Sequence, residues 1–309
     1  MPQTQTAVRP AYRPYEAEVA RVRRLTPHFV RVTFTTADFE HFGLARLDQR
    51  IKLVLPHPDG TISEFGQTDG AGDWYDRWRA LPTGERNAFR TYTVRRIDPE
   101  LRELDVDFVV HHDAGPAGAW AEQAAAGQRL VIVGPDARSP HSGGGLDWHP
   151  GTARRVLLAG DETAAPAILS ILERLGDDYD VDAFIEVPTA ADALPVVCDE
   201  RFRVRWIPRD EQPHGCALID ALTNWTGANL DVLASAAAPR RQKIAEIDVD
   251  LELLWDSPEE GDGEFYAWIA GEAATVKTLR RLLVTQHGVD RKRVAFMGYW
   301  RAGQAERIE

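Results

Sequence analysis

The chain has 309 residues and a formal net charge of −12, from 36 basic and 48 acidic side chains. This balance disfavours a nucleic-acid partner, because a phosphate backbone is bound by a positive field. The length predicts two domains, each large enough to bury a core. No apolar run approaches the roughly 20 residues of a membrane span, and the N-terminal segment lacks the apolar stretch of a secretory signal. We therefore expect a cytoplasmic protein with no membrane partner, monomeric by default.

The cysteine and histidine content limits the metal chemistry. Cys198 and Cys216 are too few for an iron–sulfur cluster or a cysteine-rich zinc site. The nine histidines lack the spacing of a metal-ligand set. The sequence therefore predicts reduced thiols and no metal site.

The first half of the chain is dominated by predicted strands. Four segments alternate apolar and polar residues with a period of two. They are residues 28–36, 50–56, 102–112 and 128–135. Residues 117–127 predict a helix that ends at Gly127, because glycine is common just beyond a helix C-terminus. Many strands and one helix favour a closed antiparallel barrel.

From about residue 152, predicted strands alternate with predicted helices. Apolar runs typical of buried parallel strands recur, and the clearest helical spacing lies in residues 272–288. This alternation predicts βαβ units in an open, doubly wound sheet. We interpret residues 227–262 as an insertion with a short helix or hairpin. The predicted strands are 154–160, 181–187, 203–208, 264–271 and 293–300, and the first predicted helix is 161–176.

The segment RTYTVR, residues 90–95, has side chains suited to a dinucleotide. An arginine suits a pyrophosphate, a tyrosine offers a flat face to a ring system, and a hydroxyl can bond a ring nitrogen. Residues 115–120, GPAGAW, open the predicted helix, and a helix N-terminus attracts phosphate. The alternative is a strand face with solvated arginines. Alternation assigns the side chains to two faces, Arg90, Tyr92 and Val94 on one and Thr91, Thr93 and Arg95 on the other.

Five motifs in this order resemble the siderophore-interacting protein family, flavin-dependent ferric-siderophore reductases of the ferredoxin-reductase-like superfamily. They are RTYTVR, VDFVVHHDAGPAGAWA, LLAGDETAAPAI, AGE at 270–272 and GYWR at 298–301. The resemblance implies an N-terminal six-stranded antiparallel Greek-key β-barrel that binds FAD, residues 1–150. It implies a doubly wound α/β domain for a nicotinamide dinucleotide in residues 151–309.

The resemblance assigns FAD to the RTYTVR strand and to the strand and turn that follow it. Tyr92 would pack on the isoalloxazine and Thr93 would bond near its reactive nitrogen, which makes these two the expected catalytic residues. Arg90 or Arg95 would meet the pyrophosphate. The implied cofactor-binding set is Arg90, Tyr92, Thr93, Arg95, Asp107, Val109, His111, Gly115, Pro116, Ala117, Gly118 and Trp120.

Two positions depart from the family pattern, and one loop has two possible roles. Relatives often have Ser at the position of Gly118 and Gly at the position of His112. The loop of residues 70–87 contains Trp74 and Trp78. These tryptophans are expected either to cover the adenine end of FAD or to fold back on the barrel.

The resemblance also implies NADH or NADPH at the carboxyl edge of the second domain's sheet. Capping of the next helix is the alternative role for Asp161 and Thr163. The absence of a GxGxxG motif argues against a typical Rossmann dehydrogenase. Glu186 ends the second strand and is expected near the adenosine ribose, where a carboxylate disfavours a 2′-phosphate. The residues that the resemblance assigns to the dinucleotide are Asp161, Glu162, Thr163, Gly271 and Glu272.

The implied reaction is the reduction of a ferric siderophore. The nicotinamide gives a hydride to the flavin, and electrons then pass singly to iron. Oxygen donors hold ferrous iron more weakly than ferric iron, so the metal is released. Because ferric siderophores are often anionic, a basic patch is expected near the flavin. The resemblance to the family's basic residues implies Lys52, Arg138 and Arg301 for substrate binding.

Two other functions remain open at this point. Another oxidoreductase of the superfamily would reduce ferredoxin, flavodoxin or free flavin with the same two domains. A non-catalytic carrier would bind flavin or siderophore, and a nicotinamide would then fail to bleach the flavin. A purely structural role leaves the flavin motif without a purpose.

Overall fold

The computed structural model describes residues 9–69, 72–111, 115–244, 247–249, 252–259 and 263–303. The chain forms two compact units. The first comprises Met1–Leu25 and Phe29–Leu146, and the second comprises Thr26–His28 and Asp147–Glu309. Within the described ranges, no helix is both long enough and apolar enough to cross a membrane.

The first unit is an antiparallel sheet curved around an apolar interior. Its described strands lie in the order β4-β3-β7-β1-β2-β6-β5. Alternate side chains point inward, as a period of two requires, and Phe34, Leu53 and Phe108 are fully buried in one cluster. The seven strands are β1 Tyr12–Arg24, β2 Phe29–Thr35, β3 Arg50–Val54, β4 Phe89–Thr93, β5 Arg96–Asp98, β6 Glu103–Val109 and β7 Arg129–Pro135.

The seven strands differ from the expected six because one stretch of chain serves as two strands. Strands β4 and β5 form the two edges of the sheet, yet Val94 and Arg95 are all that separates them. The amide of Val94 donates to Gln49 beside β3, whereas the amide of Arg95 donates to Asp105 in β6. The chain therefore changes partner at Val94–Arg95 and connects the two edges of the sheet.

A short helix, α1 (Trp74–Ala80), covers the outer face of the sheet. Trp78 is fully buried there, its ring lies 4.6 Å from the ring of Phe89, and its indole N–H donates to the carbonyl of Asn87 at 3.0 Å. The loop therefore folds back on the barrel, the second of the two expected roles. The sequence pattern missed α1 because seven residues are too short for a clear helical period.

Helix α2 (Pro116–Glu122) is shorter than predicted. The prediction that it ends at Gly127 is wrong. Gly127 lies in a later turn with a φ of +89°, and its amide donates to the carbonyl of Val19 on β1. Glycine at this position therefore serves a tight turn against a strand and not the end of the helix.

The second unit is built on a mostly parallel sheet in the order β10-β9-β8-β12-β13-β11. Successive strands run outward from β8 in one direction as far as β10, and β12 then starts on the other side of β8. The topological switch point lies between β8 and β12, where open α/β sheets bind ligands. The six strands are β8 Arg155–Gly160, β9 Asp180–Val187, β10 Arg203–Pro208, β11 Trp255–Asp256, β12 Phe265–Glu272 and β13 Val294–Trp300.

Helices connect and cover these strands. Helices α4 and α6 bury Leu222, Trp225 and Leu279 against the same sheet face as Phe265. Helix α5 is the short helix expected within residues 227–262, and α4 was not predicted from the sequence. The helices are α3 Ala165–Leu172, α4 Cys216–Ala228, α5 Leu230–Ser235 and α6 Ala273–Arg280, the last continued by a π-helical turn at Arg281–Gln286.

Candidate functional site

Tyr92 is half-buried and packs against the apolar core of the barrel. Its ring centroid is 4.5 Å from that of Phe108 on β6. The ring of Phe108 also lies 5.7 Å from Trp120 on α2, and Trp120 stacks on Phe34 at 6.1 Å. One buried aromatic side chain therefore links the RTYTVR strand to helix α2.

Arg90 shares the face of Tyr92, whereas Thr93 lies on the opposite face. Arg90 pairs in register with Leu53, whose side chain is buried in the barrel core. Its guanidinium donates to the carbonyl of Phe89 at 2.7 Å, and the residue is half-buried. Thr93 is 6% exposed. A ligand that packs on Tyr92 can therefore also reach Arg90.

Arg95 belongs to a charged group on the outer face of the barrel. Asp107 receives two hydrogen bonds from Arg31, at 2.6 and 2.8 Å, and its carboxylate lies 3.7 Å from Nε of Arg95. The Asp107 side chain is completely buried. Asp107 therefore holds two guanidinium groups in place, and its expected part in FAD binding stays a prediction. Sequence reasoning missed Arg31, since only strand pairing brings it opposite Asp107.

The start of helix α2 is open to solvent. Gly115 precedes the helix in an extended conformation, and a Cβ atom there would meet no other heavy atom within 4 Å. Pro116 occupies the first turn, and no side chain of the described residues caps the helix. Val109 is half-buried at the end of β6 and His111 is exposed. The departure expected at His112 lies outside the described residues.

These residues fit the chemistry of FAD. Tyr92 supplies a partly exposed ring face, Arg90 a guanidinium on the same face, and α2 an uncapped N-terminus among the described residues. The two small residues Ala117 and Gly118 are buried and allow α2 to lie against the barrel. An aromatic face, a cation and free backbone N–H groups match a flat ring joined to a pyrophosphate.

Asp161 joins three strand ends of the second unit. One of its oxygens accepts from the amide of Thr163 at 2.9 Å, and the other accepts from the amide of Glu272 and the indole N–H of Trp300, both at 2.8 Å. Helix α3 begins later, after Ala164, with no side-chain cap. Asp161 fixes the turn after β8 and also bonds in the manner of a cap, because its carbonyl accepts from the amide of Ala165 at 3.1 Å while its side chain accepts from Thr163.

Glu162 forms a bidentate ion pair with Arg209, which follows β10. Both terminal guanidinium nitrogens donate to its carboxylate at 2.7 Å. Nε2 of His214 lies 3.5 Å from the same carboxylate. Burial alone would raise the pKa of Glu162, but His214 and Arg209 outweigh burial and lower it to about 2. Glu162 is therefore a buried anion whose charge is already compensated.

His214 lies among three carboxylates. Besides Glu162, its ring nitrogens are 3.7 Å from Asp161 and 3.9 Å from Glu186, and its ring meets Trp300 edge-on at 4.9 Å. Burial lowers the pKa of His214, but the nearby carboxylates of Glu162 and Asp161 more than reverse this and raise it. Burial and the charge of Glu162 raise the pKa of Asp161. The cluster therefore favours a protonated imidazole.

Glu186 does not reach the surface, and its expected place near the adenosine ribose stays a prediction. Its side chain is fully buried and accepts hydrogen bonds from the amides of Gly215 at 2.8 Å and Leu218 at 3.0 Å. These amides belong to the start of helix α4, where a carboxylate is favoured by the helix dipole. Glu186 therefore anchors α4 to the end of β9.

Gly271 and Glu272 end β12 beside Asp161. Gly271 has a φ of +141°, and a Cβ atom there would lie 2.6 Å from the Asp161 carboxylate. Glu272 caps helix α6, because its carboxylate accepts from the amide of Thr275 at 2.9 Å. The dinucleotide-binding residues predicted in the second unit are thus brought together at the carboxyl edge of the sheet.

Known proteins resemble this chain across both units. Residues 18–139 match the siderophore-interacting FAD-binding domain, and residues 153–303 match the siderophore-interacting protein family. The chain belongs to the siderophore-interacting protein family. An uncharacterized protein of Mycobacterium tuberculosis is 33% identical to this siderophore-interacting protein over 303 residues, covering 96% of this chain and 94% of its own. The ferric vibriobactin reductase ViuB of Vibrio cholerae is 27% identical and covers 94% of this chain and 90% of its own.

Solved structures share the fold of this siderophore-interacting protein. A siderophore utilization protein from T. fusca has a TM-score of 0.67 and 28% identity, over 96% of this chain and 95% of its own. The ferredoxin reductase of carbazole 1,9a-dioxygenase has a TM-score of 0.58 and 17% identity, over 94% of this chain and 70% of its own. The second likeness shows a ferredoxin-reductase-like fold alone.

The three basic residues expected to bind substrate each have a contact of their own in this siderophore-interacting protein. The ammonium of Lys52 donates to the hydroxyl of Thr91 at 2.5 Å. Arg138 donates twice to the buried carboxylate of Asp136, at 2.9 and 2.7 Å. Arg301 donates to a backbone carbonyl at 3.1 Å. A substrate would have to share Arg138 with Asp136, so substrate binding by this trio remains a prediction.

Three polar residues of the sheet edge were absent from the sequence predictions, namely Arg209, His214 and Trp300. Trp300 stands in the GYWR motif, which is the signal that could have identified it. Arg209 and His214 follow a predicted strand without any motif of their own. In the part of the chain that the structure describes, no three His, Cys, Asp or Glu side chains are arranged to hold a metal ion.

Proposed function

We propose that this siderophore-interacting protein is an FAD-dependent oxidoreductase that passes electrons from NADH or NADPH to a ferric siderophore and releases ferrous iron. One observation carries the proposal: the ring of Phe108 contacts Tyr92 of the RTYTVR strand and Trp120 of helix α2. This arrangement occurs in a chain that matches an FAD-binding domain. The name of its relative ViuB, a ferric vibriobactin reductase, supports the substrate class.

In this proposal the first unit holds FAD. Tyr92 would pack on the flat ring, and the open start of α2 would receive phosphate. The hydroxyl of Thr93 would bond near the reactive nitrogen, which requires it to turn from the buried, opposite face of the strand. Arg90, on the face of Tyr92, is the better candidate for the pyrophosphate, because Arg95 is 7% exposed and lies beside Asp107. FAD supplies the chemistry that converts a two-electron hydride donor into single-electron steps.

The second unit holds the hydride donor at the carboxyl edge of its sheet. Asp161, Gly271 and Glu272 flank the switch point between β8 and β12, where this class of sheet binds dinucleotides. Glu162 and Thr163 belong to the same turn after β8. Glu272 at the end of β12 and Trp300 at the end of β13 donate hydrogen bonds to the carboxylate of Asp161 and so connect this edge.

The proposed substrate is a ferric siderophore, and Lys52, Arg138 and Arg301 are its proposed binding residues. Each NADH or NADPH gives two electrons and each ferric ion accepts one, so one dinucleotide reduces two ferric siderophores. Hard oxygen donors hold ferrous iron less tightly than ferric iron, which releases the metal. The protein itself needs no metal ligand for this step.

An anaerobic titration tests the proposal. The purified protein is reconstituted with FAD, the flavin absorbance is followed during addition of NADH or NADPH, and a ferric hydroxamate or ferric catecholate is then added with a ferrous-specific chelator. We expect the flavin bands to bleach and to recover, with two ferrous ions for each dinucleotide.

The other functions predict different results. A carrier binds flavin that neither dinucleotide bleaches. In a reductase of ferredoxin, flavodoxin or free flavin, the dinucleotide bleaches the bound flavin, but the flavin absorbance does not recover when the ferric siderophore is added. A protein that binds no flavin overturns the assignment altogether.

A further inference from the structure

The carboxyl edge of the second sheet is unusually acidic for a site that would accept a phosphorylated ligand. Three carboxylates meet there, after β8 and at the end of β9, and the cationic side chains Arg209 and His214 lie among them. Both cations are in contact with carboxylates already. The three carboxylates are Asp161, Glu162 and Glu186.

Among the side chains of this cluster, Arg209 is the one best suited to bind a phosphate. It follows β10, next to β9, and both of its terminal nitrogens are bonded to Glu162 at 2.7 Å. Glu186 lies 3.9 Å from the same guanidinium. Because two carboxylates already compensate one cation, an added phosphate must break the bidentate pair and then face uncompensated acids.

NADH and NADPH differ by one group, the 2′-phosphate on the adenosine ribose. Sites that select NADPH place an arginine near that phosphate, whereas sites that select NADH place a carboxylate near the ribose hydroxyls. This edge of the sheet has several carboxylates and one arginine, Arg209, which is already paired with the carboxylate of Glu162. The electrostatics therefore oppose the 2′-phosphate while leaving an unphosphorylated ribose unpenalised.

We propose that this protein selects NADH over NADPH, and that Glu162 sets the selectivity by occupying the guanidinium of Arg209. The inference rests on the proposed function, in which the second unit binds a nicotinamide dinucleotide. Glu162 determines the specificity indirectly, because its ion pair with Arg209 keeps that guanidinium from binding a 2′-phosphate. Removing its charge while keeping its shape leaves Arg209 available to a phosphate.

Equilibrium binding provides the test without any turnover. The full chain is titrated by calorimetry with adenosine 5′-monophosphate and with adenosine 2′,5′-bisphosphate. For the wild type we expect the bisphosphate to bind no more tightly than the monophosphate. For Glu162→Gln we expect the ratio of bisphosphate affinity to monophosphate affinity to rise roughly tenfold, the effect of about 1.4 kcal/mol.

Two further variants separate the proposed cause from others. Glu211→Gln removes the same charge from an exposed residue two positions from Arg209 and is expected to leave the ratio of the two affinities unchanged. The double variant Glu162→Gln with Arg209→Gln is expected to lose the gain, because no guanidinium then remains to meet the phosphate. Circular dichroism confirms that each variant is folded before it is titrated.

The outcomes distinguish this inference from the proposed function. Bleaching of the flavin by NADPH as readily as by NADH overturns the selectivity and leaves the reductase proposal intact. Equal gains for Glu162→Gln and Glu211→Gln overturn the role of Glu162. Failure of both dinucleotides and both adenosine phosphates to bind overturns the inference together with the donor assignment. The wild-type comparison of NADH with NADPH requires no variant and stands even if Glu162→Gln does not fold.

Discussion

The carboxylate of Asp161 accepts a hydrogen bond from the indole N–H of Trp300 at 2.8 Å, although 139 residues separate them in the sequence. The same oxygen accepts from the amide of Glu272 at 2.8 Å. One buried carboxylate oxygen therefore connects the turn after β8 to the ends of β12 and β13. The residues proposed to bind the dinucleotide depend on this connection for their positions.

Trp300→Phe is expected to destabilise the second unit by about 1–2 kcal/mol, because a buried carboxylate loses one of its donors. Phenylalanine keeps an aromatic ring beside His214 but cannot donate a hydrogen bond. Urea unfolding followed by far-ultraviolet circular dichroism measures the change. Trp74→Phe, on the half-buried start of α1, is the matched control, and a loss of equal size there contradicts the role given to the Asp161 bond.

Gly271→Ala is expected to destabilise the protein by about 1–3 kcal/mol, from backbone strain at positive φ together with a clash with Asp161. The same variant is expected to weaken binding of adenosine 5′-monophosphate, because the clash displaces the edge of the site. The control variant is Gly227→Ala. Gly227 lies in helix α4 with no other heavy atom within 4 Å of an added Cβ, so alanine there is expected to stabilise the protein by about 0.5–1 kcal/mol. Thermal unfolding measures the stability of both variants, and an unchanged stability of Gly271→Ala contradicts the prediction.

His214 is expected to make stability depend on pH on the alkaline side. Its pKa in the folded protein is raised above the ordinary 6.5 by the carboxylates of Glu162 and Asp161, with Glu186 and Arg209 also facing the ring. Because the pKa of His214 is higher in the folded protein than in the unfolded chain, protonated His214 stabilises the fold. This contribution is complete below pH 6.5 and is lost as the pH rises through the folded pKa.

The measurement compares wild type with His214→Gln in urea at about pH 5.5 and about pH 8.5. The difference in the free energy of unfolding is expected to be larger at the lower pH. His287→Gln, in the same unit and outside the carboxylate cluster, controls for the loss of an imidazole. A difference that grows toward alkaline pH contradicts the charge state assigned to His214.

Arg90 and Arg95 are expected to differ in their roles although both belong to RTYTVR. Arg90→Gln is expected to weaken FAD binding roughly tenfold or more with little loss of stability, since it removes a cation from the face of Tyr92. Arg95→Gln is expected to lower stability by about 1–3 kcal/mol, because Asp107 is buried and loses a nearby compensating charge. Flavin fluorescence titration and urea unfolding separate the two effects, and the reverse assignment of effects overturns our choice of Arg90 for the pyrophosphate.

Much of the fold follows from local pattern. The period of two in residues 28–36 and 102–112 corresponds to β2 and β6, and the apolar run before Gly160 corresponds to β8. Two helices escaped this reasoning, the short α1 and the longer α4. The end of α2 was misplaced, because a glycine required by a turn against β1 looks identical in sequence to one that ends a helix.

The candidate site divides in the same way. The RTYTVR and GDET motifs identified Tyr92, Arg90 and Asp161 by type and order, and alternation along the strand correctly separated the faces of Arg90 and Arg95. The sequence could not tell that Asp107 holds Arg31, or that Glu186 is buried under helix α4. Each of those contacts depends on which strand lies beside which.

The sequence by itself determined the β class of the first part and the α/β class of the second, because periodicity is a local property of the chain, and its family motifs named the candidate site residues. Tertiary structure decided which charges are still available to a ligand. Glu162 and Arg209 are 47 residues apart, and Asp161 and Trp300 are 139 apart, so strand order alone brings them into contact. These buried side chains supply one another's hydrogen-bond and charge partners. An unpaired charge in the interior would cost several kcal/mol.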